Sequence, residues 1–155
     1  MRAYFYKLHN ILYVIILIPI LLFAYLHLEA MSAPVPVNPS QPVVTYLSMC
    51  GFVAAVAFSI WYFANHLKRV KKTEGLGDKL KQYAKLSVVR FFFIAVGCML
   101  LVWGYWITND PFIIALFMVS MIVLSLWWPS PGKVCKDLRL KGDEREMVFY
   151  RKDVL

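Results

Sequence analysis

VVRFFFIAVGCMLLVWGYWIT, residues 88–108, carries one charged side chain, Arg90, and that near its start. A helix exposed to water on one face breaks such a run with polar residues every turn, to keep that face wet. This stretch does not. Its length matches the roughly 20 residues that a helix needs to cross a hydrocarbon core of about 30 Å. Working outward, three more apolar runs of similar length appear, at about 8–28, 43–66 and 111–128. The interiors of the last two carry no Asp, Glu or Lys, and the first is clean up to His27 and Glu29. The expected fold is all-α: a polytopic membrane protein whose four transmembrane helices form two hairpins. Residues 1–132 form the membrane domain and residues 133–155 a basic, amphipathic cytoplasmic tail.

Composition agrees. Of the 155 residues, 61% are hydrophobic and 16% aromatic, above the usual apolar share of a soluble domain. Little chain remains outside the four runs for a separate soluble domain. The first run is longer than a signal-peptide core, and Ala30–Met31–Ser32–Ala33 is a weak cleavage site, so retention is expected.

The formal net charge of +8 points to nucleic acid only until it is mapped. Lys and Arg lie before the first run, between or at the edges of the second and third, and after the fourth; Glu29–Pro42 and Asn109–Asp110 contain none. The positive-inside rule therefore places both termini and the central loop in the cytoplasm of a cell whose inner (plasma) membrane holds the chain. Anionic lipid headgroups are the expected partners of these cations, and no nucleic acid is. Lys68, Arg69, Lys85, Arg90, Trp127, Trp128 and Lys133 are the expected anchors at the inner interface, with Arg90 snorkelling outward along its own stem.

Prolines and small residues organise the rest. Pro19 sits inside the first run and should kink it. Pro34, Pro36, Pro39 and Pro42 make the first outer connection extended. Gly51, Ala55 and Ser59 form a four-residue-spaced stripe, and Gly97 and Gly104 share a face of the third run. Such stripes let backbones approach closely, either inside the bundle or at an oligomer seam. Gly75 and Gly77 supply a turn before a helix that Asp78 caps. Asp110 caps the fourth helix and Pro111 occupies its first turn. Pro129–Ser130–Pro131–Gly132 stops that helix. Lys133–Leu140 and a short helix started by an Asp143-x-x-Glu146 capping box suit the inner membrane surface. Tyr6–Lys7–Leu8 and Tyr83–Ala84–Lys85–Leu86 open the two hairpins alike, as parallel repeats would.

Chemistry-bearing residues are few. Ionisable groups inside a membrane are functional candidates by default. His9 and His66, near the inner ends of the first two runs, are the pair that a haem iron would need. His27, Glu29 and Asp110 read as solvated groups at the edges of loops; no metal site is expected from them, because a site needs three or more converging ligands. Cys50, Cys98 and Cys135 form no C-x-x-C pair and read as free thiols. Spans two to four lack the embedded carboxylate that proton-coupled transport requires. No nucleophile–base set, phosphate loop or cofactor motif appears, so no catalytic residue and no cofactor is expected.

Tyr83…Arg90, Thr108–Asn109–Asp110, Pro129–Ser130–Pro131–Gly132–Lys133 and Asp137–Leu138–Arg139–Leu140 together resemble the latter half of an uncharacterised group of small four-span bacterial membrane proteins. The resemblance implies a shared architecture and supplies no activity. The expected function is non-catalytic, through contacts with lipid, with another membrane protein or with a second copy. A small transporter, and a haem-binding electron carrier using His9 and His66, are the alternatives.

Overall fold

The structure is a computed structural model that describes residues 2–32, 42–72, 75–140 and 142–149. Helix makes up 92% of the described residues, and none of them forms a strand. The order is α1 (Arg2–Ser32), α2 (Pro42–Val70), α3 (Leu76–Thr108), α4 (Pro111–Leu126), α5 (Pro131–Leu138) and α6 (Gly142–Phe149). The connection at 33–41 and the side chain of Asp143 lie outside the described residues.

Three helices, α1, α2 and α3, are long and apolar enough to cross a membrane, and α4 joins them only if it forms one bent span with α5. The three overshoot their apolar runs. At about 1.5 Å per residue, the 33 residues of α3 reach about 50 Å, well beyond a hydrocarbon core, so the charged turns before Val88 continue the same helix. By contrast α4 has 16 residues and reaches only about 24 Å.

What decides the solvent is where apolar side chains point. Only 17% of α1's most apolar window and 22% of α2's is buried within the protein, against 56% for α3. Val14, Leu17, Leu21 and Leu28 on α1, Leu47 and Trp61 on α2, and Phe112 and Ile122 on α4 are all exposed. A water-soluble monomer rarely leaves contiguous apolar patches beyond a few hundred Å². Here nearly a whole face of each outer helix is bare, so the protein belongs to a membrane.

The centre is α3. Phe91, Ile94, Cys98, Leu101 and Tyr105 are buried in one cluster with Leu8, Leu12 and Phe23 of α1 and Ile113, Phe117 and Leu124 of α4. Tyr4 Oη donates to Leu80 O at 2.8 Å near one end, and His27 pairs with Tyr105 near the other, so α1 and α3 run parallel and in step. The matching openings at Tyr6–Leu8 and Tyr83–Leu86 share that offset. Helix α2 packs antiparallel on α3 through the small residues. A Cβ on Gly97 would lie 3.1 Å from both the Ala55 Cβ and the Phe52 ring, and one on Gly104 would lie 2.7 Å from the Ser48 Cβ. Ser59 is fully buried and donates to Arg90 O at 3.4 Å. The Gly51/Ala55/Ser59 stripe therefore faces α3 within the chain.

One cap differs from expectation. Gly75, at φ 89°, is the N-cap of α3, and no side chain caps the helix; Asp78 lies in its first turn. A left-handed φ suits glycine, while a carboxylate one turn in still meets the positive end of the helix dipole. The turn into α4 is as read from the sequence. Asn109 ends α3 at φ 49°, Asp110 accepts from Phe112 N at 2.9 Å, and Pro111 starts α4. Asp110→Ala should cost about 1 kcal/mol, measured as a lower unfolding midpoint in detergent.

The tail does not lie on lipid throughout. Ser130 caps α5 by accepting from Lys133 N at 3.3 Å, and α5 leaves α4 at 74°. Val134, Cys135 and Leu138 are buried against Phe5, Val70, Leu80, Tyr83 and Leu86. The apolar face expected to meet the membrane surface is covered by the ends of α1, α2 and α3, so the division at residue 132 cuts through a helix that belongs to the bundle.

Candidate functional site: a buried arginine at the basic end

The ends of α1, α2 and α3 meet the α4–α5 bend at the end of the bundle that carries Lys68, Arg69, Lys79, Lys85 and Lys133. Arg90 is the hub. It is 9% exposed, and its guanidinium lies 4.1 Å from the Trp127 ring centroid and 4.7 Å from that of Phe63. Its Nε is buried with no hydrogen-bond partner. The expected outward snorkel is thus corrected: aromatic faces from α2 and from the end of α4 hold the cation inside, where a quadrupole offers attraction without water.

Polar side chains around the hub tie elements together. Tyr83 Oη donates to Asp137 Oδ2 at 2.9 Å, and the Asp137 carboxylate lies within electrostatic reach of both Arg90 and Lys133. Lys133 Nζ donates to Leu126 O at 2.9 Å, occupying a carbonyl at the end of α4. His9 Nε2 lies 3.1 Å from Pro129 O; a carbonyl only accepts, so Nε2 carries the proton. The same imidazole packs on Trp128 at 5.4 Å, and Tyr13 packs there at 4.8 Å. Trp127 and Trp128 are both half-buried; their inward faces serve the bundle.

Tyr83→Phe should free the α5 end of this network. The expected cost is about 1.5 to 3 kcal/mol for a hydrogen bond to a charged group, read as faster amide exchange in α5 while α3 is unchanged.

The other candidates do not converge. His66 stacks on Tyr62 at 4.0 Å and its Nδ1 donates to Tyr62 O at 3.0 Å, whereas His9 engages the α4–α5 bend. The two histidines contact different elements, and the structure does not bring them onto a common partner. His27, expected in solvent, is half-buried: its Nδ1 lies 2.9 Å from Tyr105 Oη and its ring stacks on Phe23. Glu29 is exposed. Asp110, besides capping, accepts from Thr45 Oγ1 at 3.4 Å. Cys98 meets Ser120 Oγ at 3.5 Å, Cys135 is buried in α5, and Cys50 is exposed. Among the described residues no three His, Cys, Asp or Glu side chains are grouped to hold a metal.

No family model, no curated protein and no solved structure matches the chain.

Proposed function

We propose that this chain is a non-catalytic integral protein of the inner (plasma) membrane, spanning it four times with both termini in the cytoplasm. It acts through lateral contacts, as an accessory or assembly subunit or as a homo-oligomer. The observation that carries this reading is the division of labour among its side chains. Tyr4, His9, Tyr83 and Lys133 spend their polar atoms on fastening one helix to another. The bare surface, meanwhile, is broad and apolar, with Tyr46, Trp61 and Trp106 each more than half exposed. Aromatic residues of that kind anchor contacts between partners and also suit a membrane boundary.

Purification of the full chain in a mild detergent, followed by mass measurement of the native complex, tests the proposal. A companion membrane protein, or a defined multiple of the 18.0 kDa chain, is the expected result. A strictly monomeric species with no companion contradicts it.

A further inference from the structure

We infer that the seam between α1 and α3 at the basic end is a binding site for one anionic phospholipid of the cytoplasmic leaflet. The inference rests on the orientation proposed above and names a specific ligand class for one place on that surface.

Two adjoining grooves build the site. One, of about 490 Å³, is lined by polar residues including Tyr4, Asp78, Lys81, Gln82 and Lys85. The other, of about 440 Å³, is bordered by Lys7 and Lys85 and walled by Leu8, Ile11, Ala84 and Val88. Tyr4, Ala84 and Lys85 belong to both, so the compartments are continuous. Their order is what identifies the ligand. Because α1 and α3 run parallel and in step, each passes from cation to hydrocarbon in the same direction: Lys7 to Leu8 and Ile11 on one wall, Lys81 and Lys85 to Val88 and Val89 on the other.

A soluble anion gains nothing from the second compartment, and an apolar molecule leaves the lysines of the first unused. A phospholipid needs both, its phosphate among the lysines and the upper part of one acyl chain along the apolar walls. Lysines near an anionic headgroup layer are attracted to it, and their stems cover apolar surface while the ammonium groups stay wet. Lys7 and Lys85 are exposed, ready to turn onto a phosphate. Asp78 lies 3.8 Å from Lys81 Nζ and offsets one of the three cations. The Tyr4 hydrogen bond to Leu80 O fixes the polar floor and keeps the two helices at the spacing that leaves the groove open.

The test uses the full chain in nanodiscs of phosphatidylglycerol or of phosphatidylcholine, released into a native mass spectrometer, with vesicle flotation as an independent check of insertion. Wild type is expected to retain one phosphatidylglycerol and to lose phosphatidylcholine. Lys7→Gln with Lys85→Gln should weaken retention by about fivefold per lysine removed. Ile11→Trp, which fills the apolar compartment from an exposed position, should also abolish it. Lys72→Gln with Lys136→Gln removes the same charge from exposed positions that line neither groove and should leave retention intact. Equal loss in the two lysine pairs, or equal retention of the two lipids, overturns the site. If any of these holds while the chain floats with vesicles, the site alone fails; if the chain does not float, the membrane reading fails with it.

Discussion

Arg90→Ala should lower the unfolding free energy by about 3 kcal/mol, from the loss of two desolvated cation–π contacts and the hole left behind. The contacts at stake are with Trp127 and Phe63. Arg90→Met should cost clearly less, because an apolar side chain of similar volume recovers packing without the penalty of a buried charge. That penalty is real here, since Nε has no partner. A double-mutant cycle with Trp127→Ala should return a coupling of about 1 to 2 kcal/mol. Denaturant titration in micelles, followed by tryptophan fluorescence, measures all of these. An Arg90→Ala variant as stable as wild type would mean that the guanidinium leaves the hub for the headgroup layer.

Gly104→Leu should be at least as damaging. A Cβ alone falls 2.5 Å from the Ser48 Oγ and 2.7 Å from the Ser48 Cβ, and both atoms sit on a helix that cannot retreat without leaving α3. Overpacking of this kind costs about 1 to 3 kcal/mol, and the branched side chain adds to it, so loss of the folded species in detergent is expected. Gly97→Leu should follow, less sharply, because Phe52 and Ala55 stand slightly farther off. Gly77 provides the contrast. Nothing lies within 4 Å of a Cβ there, and Gly77→Ala, in the first turn of α3, should gain about 0.5 kcal/mol from backbone entropy alone. A uniform response across the three positions would show that propensity, and not helix contact, sets the outcome.

Much of the architecture is legible in the sequence because lipid imposes a demand that each residue must meet on its own. A helix in hydrocarbon satisfies its backbone internally, so an uninterrupted apolar run declares itself without reference to the rest of the chain. The turn at Asp110–Pro111 is legible for the same reason: cap and first-turn proline act locally. What the sequence hides depends on distant partners. Arg90 reads as a snorkelling anchor until Phe63 and Trp127 arrive from other helices. Val134, Cys135 and Leu138 present the same apolar face whether lipid or protein covers it, and only the 74° bend after α4 turns them toward the bundle. His27 looks solvated beside Glu29, yet the parallel run of α1 and α3 delivers Tyr105 to it. The small-residue stripe marks a close approach correctly but says nothing of which helix approaches. At the seam of α1 and α3, Lys7 and Lys85 are far apart in sequence, and their meeting at one groove follows only from that same parallel packing.

The most direct test of the claim on which the rest stands is alkaline carbonate extraction of membranes from cells producing the full chain. With lipid covering the bare faces of α1, α2 and α4, the protein is predicted to stay in the pellet alongside integral markers and to leave it only with detergent. Recovery in the carbonate supernatant would contradict that claim.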